Sequence, residues 1–195
     1  MIFSVDRRTS FHRIAARFER RYRSLQETHG APYRLTAKGA WAASTAEAVY
    51  SFFEALPLDR YRLFLDAGSG DGIVICIAGL FTRAIGIEID PDLCRTAQHL
   101  AGELDLSGRV DFACGDFLRF PIRKADCLYV YPDKPLDALA DCLEGWRGDL
   151  LVYGPHFPLR GFKAVLTLSH EKERLTVYRS LCEASSCRAQ DGGTS

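Results

Sequence analysis

The sequence predicts a doubly wound α/β fold built on a mostly parallel sheet of seven strands, preceded by a helical extension. Three observations carry that reading. Short, nearly continuous apolar runs alternate with helical patterns from residue 61 to 153, and strands of that kind belong to parallel sheets covered on both faces. The first of them runs into the glycine-rich turn Gly68-Ser69-Gly70-Asp71-Gly72, with a helical pattern behind it. The last two apolar runs are separated only by residues 169–173, so they close the sheet as an antiparallel hairpin.

In chain order, the first element is an amphipathic helix. Phe11, Ile14, Phe18, Tyr22 and Leu25 recur at spacings of three and four, with Ser10 as its expected N-cap. His29-Gly30-Ala31-Pro32 ends it, because glycine suits a C-terminal cap and proline cannot continue the turn. A second helical pattern runs from Thr36 through Trp41, Thr45, Val49 and Phe53 to Pro57. Strands are then expected at 61–67, 84–89, 110–114, 126–131, 150–153, 162–168 and 174–181, with helices at 71–81, 91–104 and 135–146 between them. The expected organisation is a basic helical extension over 1–35, a catalytic domain over 36–181 and a frayed tail over 182–195.

Composition sets the outer limits. Among 195 residues, 47% are apolar and 26% charged, which excludes a disordered chain and suits one domain with a sizeable core. The longest apolar runs, such as 73–80, fall far short of the roughly 20 residues that span a bilayer, so no membrane span is expected. The N-terminus has no apolar stretch behind its charges, and a cytoplasmic address is expected. Seven cysteines form an odd set without C-x-x-C spacing, which reads as buried reduced thiols and no metal site. The net charge of zero conceals a basic head, since residues 7–23 hold seven arginines against the single acid Glu19. Such a helix either docks through its aromatic stripe with a solvated basic face, or meets an anionic partner such as nucleic acid.

The chemistry converges on three strand ends. Glycines at 68, 70 and 72 let the backbone approach a ligand closely. Position 73 is isoleucine where the dinucleotide fingerprint needs glycine, and no Lys-Ser/Thr pair follows, so a pyrophosphate ligand is disfavoured. The second strand ends Glu88-Ile89-Asp90, where a carboxylate can accept both hydroxyls of a ribose. The third ends with Asp116 and Phe117, an acid for an exocyclic amine and an aromatic face for a purine. Together they describe a site for adenosine without phosphate.

These residues resemble the seven-stranded class I S-adenosylmethionine-dependent methyltransferases. The resemblance covers Thr36 to Ser180 and implies strand order 3-2-1-4-5-7-6 with strand 7 antiparallel. It implies that Asp66, Gly68, Ser69, Gly70, Asp71 and Gly72 cradle the methionine part, that Glu88 and the adjoining Ile89 meet the ribose, and that Asp116 and Phe117 meet the adenine. The cofactor would be S-adenosyl-L-methionine and the product S-adenosyl-L-homocysteine.

At the fourth strand end, amino-nucleobase and glutamine enzymes of this family carry Asn/Asp-Pro-Pro-Tyr/Phe. This chain has Tyr129-Val130-Tyr131-Pro132, and Tyr131 cannot accept amine protons in the way an amide or acid does. That run, together with Phe157-Pro158-Leu159-Arg160-Gly161-Phe162 leading directly into strand six, resembles the small archaeal and mitochondrial protein-lysine methyltransferases. The resemblance implies N-methylation of a lysine in a protein substrate. Tyr131 would line the acceptor channel, and Asp133 and His156 are the candidates to take up a proton. Rival readings are a small-molecule or RNA acceptor, the latter docked by the basic helix, and a non-catalytic S-adenosylmethionine-binding scaffold subunit.

Overall fold

The structure, a computed structural model, describes residues 6–30, 33–36 and 39–181. The expected tail from 182 onward, Cys182 and Cys187 in it, and the N-terminal residues 1–5 lie outside these. The chain opens with α1 (Arg7–His29), then the strands β1 (Tyr33–Thr36) and β2 (Gly39–Ala42), then α2 (Ala46–Ala55). The main sheet follows as β3 (Phe64–Ala67), β4 (Ala84–Glu88), β5 (Val110–Cys114), β6 (Cys127–Val130), β7 (Asp149–Tyr153), β8 (Phe162–His170) and β9 (Glu173–Ser180). Between these strands lie α3 (Ile73–Ala78), α4 (Pro91–Glu103) and α5 (Asp137–Cys142).

The main sheet runs β5-β4-β3-β6-β7-β9-β8, which is the expected order 3-2-1-4-5-7-6. Strands β3 to β7 pair in parallel, and β9 alone runs antiparallel to both of its neighbours. Strands β3, β6 and β7 are buried at every position, as expected of central strands covered on both faces. All six residues of α3 are buried, the mark of a helix enclosed on every side. Helix α4 starts as its sequence dictates, with Pro91 at its first turn and the Asp90 carboxylate accepting from Asp92 N–H and Leu93 N–H.

Helix α1 lies across α2 and α3. Its stripe enters the main core, where Phe11, Ile14 and Phe18 are buried and Phe11 stacks on Tyr50 at 4.1 Å between centroids. Its arginines meet acids. Arg7, Arg8, Arg13, Arg17 and Arg21 pair with Asp59, Glu54, Asp105, Glu103 and Asp71, and Arg23 pairs with Glu19 one turn away.

Several boundaries differ from expectation. Helix α1 begins at Arg7 with Asp6 in the cap position, so Ser10 lies inside the helix. The helix expected from Thr36 is instead the antiparallel pair β1–β2, and α2 starts only at Ala46. Local propensity around Ala40-Trp41-Ala42 favours helix, but pairing with residues 33–36 wins because it seats the Trp41 indole against Gly70 and Tyr22. That pair straddles the 35/36 boundary. Strand β3 begins at Phe64 because 58–60 form a 3₁₀ turn that sends the Tyr61 hydroxyl to Asp149. Helices α3 and α5 are shorter than expected at both ends. No helix separates β7 from β8, as the spacing required.

Among the described residues, the cysteines at 76, 94, 114, 127 and 142 are free thiols, no helix is long and apolar enough to cross a membrane, and no three metal-ligating side chains come together.

Candidate active site

Parallel strands end together, so the turns after β3, β4, β5 and β6 gather at one edge of the sheet. Leaving β3, the chain folds Gly68 and Gly70 into left-handed backbone with φ of +94° and +55°, which is open to glycine without steric cost. The turn is anchored by Gly68 N–H and Ser69 N–H donating to Ile87 O. A side chain at Gly68 would meet nothing, because the space above it is the cavity itself. A side chain at Gly70 would strike the Trp41 indole.

Glu88 closes β4 and is buried. Its carboxylate accepts Gly70 N–H and Asp90 N–H, each at 2.8 Å, so one side chain ties the glycine turn to the next strand end. Asp116 accepts Leu118 N–H at 3.0 Å and starts the short 3₁₀ turn that presents Phe117. A cavity of about 300 Å³ opens between these groups, walled by Gly68, Glu88, Ile89, Asp116, Phe117 and Tyr131. A second cavity of about 200 Å³ adjoins it and reaches Asp66, Ser69, Gly70 and Tyr129. Gly68, Trp41, Tyr131 and Asp133 belong to both.

The second cavity is lined by polar groups that the fold itself leaves unsatisfied. Asp66 is buried with its Oδ1 lacking any hydrogen-bond partner, and Ser69 Oγ is also unpartnered. Burial first, and the nearby Glu88 second, push the Asp66 carboxyl well above the ordinary carboxylate range. An orphaned acid in a cavity is costly unless a ligand cation or donor completes it. Burial, with Glu173 adding to it, raises Tyr131, which keeps it a neutral phenol at neutral pH. Its ring stands edge-on to Tyr153 at 4.9 Å.

The residues singled out in the sequence are not all brought together. Asp66, Gly68, Ser69, Gly70, Glu88, Ile89, Asp116, Phe117, Tyr131 and Asp133 line the two cavities. Asp71 turns the other way. It is fully buried beneath α1, where Arg21 Nε donates to Oδ2 at 3.1 Å and the Tyr22 hydroxyl to Oδ1 at 3.4 Å. Gly72 caps α3 and packs against Ala97 and Phe112. His156 lies in a neighbouring groove, with Nδ1 2.9 Å from Gly154 O and Nε2 2.8 Å from the Tyr178 hydroxyl. Both of its ring nitrogens are engaged within the fold. Trp41 is the wall that sequence reasoning missed, since a lone tryptophan inside a helical pattern carries no signal of a strand folded over a distant turn.

The fold is that of the class I S-adenosylmethionine-dependent methyltransferases. Solved structures support that assignment. The chain is similar to an RNA methyltransferase from Salinibacter ruber in complex with S-adenosyl-L-homocysteine, at 25% identity and a TM-score of 0.63, over 71% of this chain and 94% of that one. It shares its fold with the B. subtilis M1A22 tRNA methyltransferase TrmK, at 14% identity and a TM-score of 0.51, over 69% of this chain and 65% of that one. The same holds for the mitomycin 7-O-methyltransferase MmcR, at 16% identity and a TM-score of 0.56, over 68% of this chain and 52% of that one. No family model and no curated protein matches the sequence.

Proposed function

We propose that the chain is an S-adenosylmethionine-dependent N-methyltransferase whose acceptor is the side-chain amine of a protein lysine. The observation that carries this reading is Tyr131, which forms part of the wall of both cavities and is 41% exposed at the tip of β6. Asp66, Gly68, Ser69 and Gly70 are assigned to the methionine part of the cofactor, Glu88 and Ile89 to its ribose, and Asp116 and Phe117 to its adenine. The orphaned Asp66 oxygen and the open face of Gly68 fit such a group. When bound, S-adenosylmethionine supplies an electrophilic methyl group on a sulfonium.

The chain's own residues then prepare the acceptor. An amine reacts through its lone pair, so the site must favour its neutral form and hold it in line with the methyl group. Around the second cavity Trp41, Tyr129 and Tyr131 exclude water from the amine, and it is that desolvation that disfavours the ammonium form. Tyr131 orients the amine through its ring and hydroxyl, and Asp133, on the same wall, accepts the released proton. His156 supports this arrangement through the loop. The catalytic unit is assigned to 36–181, with 1–35 as its helical extension.

The test is incubation of the full-length protein with cell extract and methyl-labelled S-adenosylmethionine, with and without nuclease. Label that survives nuclease, is removed by protease and maps to lysine supports the reading. Label lost to nuclease overturns it in favour of an RNA acceptor, the second reading, which the similarity to the Salinibacter ruber RNA methyltransferase favours.

A further inference from the structure

At the opposite edge of the sheet, where the central strands begin, lies a shallow concavity of about 510 Å³ with no part in the site described above. Six cations line it: Arg60, Arg62, Arg123, Lys124, Arg147 and Arg179. The carboxylates on the same lining are Asp126 and Asp149. A chain of net charge zero thus places four uncompensated positive charges on one face.

The two acids are already committed. Asp149 is held by Arg60 Nη2 at 2.7 Å, by Arg179 Nε at 2.6 Å and by the Tyr61 hydroxyl. Asp126 accepts Arg62 N–H at 3.1 Å and Leu63 N–H at 2.9 Å, which fixes the start of β3. These contacts hold Arg60 and Arg179 in place rather than hiding them, since each side chain stays about half exposed. Arg123, Lys124 and Arg147 are exposed and have no ion-pair partner among the described residues. The arginines of α1, by contrast, are paired to acids at every position except Arg20. The basic head seen in the sequence is mostly compensated in the fold, whereas this face keeps six cations against two acids.

We propose that this face docks the phosphate backbone of RNA. Five of the six cations are arginines, whose planar forks match phosphate oxygens in pairs. The apolar residues of the face, Tyr61, Ala125 and Trp146, are buried, and the Trp146 indole N–H is committed to Ala125 O at 2.9 Å. The face therefore offers charge without the exposed aromatic anchor that a protein interface uses. Charge without base-reading groups positions a nucleic acid rather than selecting its sequence. The four residues of β3 alone put about 13 Å between this face and the cofactor turn. The ligand is accordingly a polymer that tethers the enzyme, whether the methylated group lies in that RNA or in a protein bound to it.

The test uses the full chain and fluorescence anisotropy with a labelled single-stranded RNA and a labelled RNA duplex. Binding should weaken steeply between roughly 50 and 200 mM salt. Arg123→Gln, Lys124→Gln and Arg147→Gln combined should weaken it by about tenfold or more and flatten the salt dependence, because about three phosphate contacts are removed. Binding of S-adenosylhomocysteine and the melting temperature should be nearly unchanged, since all three side chains are exposed and none has an ion pair among the described residues. The combined substitution at Arg20→Gln and Arg13→Gln on α1 should have little effect on RNA affinity. Absence of RNA binding, wild-type affinity in the triple variant, or equal affinity for inorganic polyphosphate or polyglutamate would each overturn the proposal, independently of which acceptor is methylated.

Discussion

Glu88 carries two tasks with one carboxylate. It fixes the glycine turn through Gly70 N–H and Asp90 N–H, and its remaining lone pairs face the cavity. Replacing it by alanine should weaken S-adenosylhomocysteine binding by about 1 to 3 kcal/mol, measured by calorimetry, because charge-assisted bonds are lost and a buried N–H is left unpartnered. Asp71 has a different signature. Burial lifts it from the ordinary 3.8 to about 6, against the opposing pull of Arg21 and of bonds from Ile73 N–H and Tyr22. The folded chain then keeps a proton that the unfolded chain releases over that interval. This group's contribution to stability is therefore greatest below pH 3.8 and falls as pH rises to about 6. Melting curves should show wild-type protein losing stability relative to Asp71→Asn across that window, and parallel curves would refute the assignment.

At the scale of elements, α1 and the β1–β2 pair form a roof over the glycine turn. Tyr22 on α1 meets Trp41 on β2 at 6.2 Å, and Trp41 covers Gly70. Phe18 is fully buried in the core beneath, so Phe18→Ala should cost about 3 to 5 kcal/mol in chemical denaturation. A shift below about 1 kcal/mol would mean that the helix is not docked. Gly70→Ala tests the roof itself. Its φ of +55° is strained for alanine and the new methyl would displace Trp41, so chemical denaturation should show a loss of at least the roughly 1 to 2 kcal/mol cost of that backbone region, and calorimetry should show weaker cofactor binding as Trp41 leaves the cavity wall.

For the whole molecule, the two cavities lie where the core strands end, so ligand binding is linked to global unfolding. S-adenosylhomocysteine at about 100 times its dissociation constant should add about 2.7 kcal/mol. For a chain of this size that raises the melting temperature by about 5 to 10 °C. NAD should produce no shift, because the glycine turn lacks the third position of the dinucleotide fingerprint. Equal shifts with both ligands would contradict the adenosine-without-phosphate reading of the site.

The seven strands, their order once the family likeness was seen, and the acids at the strand ends were legible in the residues alone. Each rests on a local signal: unbroken apolar runs such as 127–131, glycine spacing at 68, 70 and 72, and a carboxylate placed where a strand stops. Long-range contacts settled the rest. Asp71 sits among the turn glycines, yet its side chain leaves the cavity for Arg21, a partner 50 residues earlier. His156, a candidate to take up a proton, meets Gly154 O and the Tyr178 hydroxyl through its two ring nitrogens, contacts its own neighbourhood in the sequence does not reveal. Trp41 left a helical pattern to roof the site, and the cations of the far face come from positions scattered between 60 and 179. Spacing along a chain encodes periodicity and turn chemistry, whereas the direction of a side chain and the neighbours it meets follow from how distant segments pack against one another.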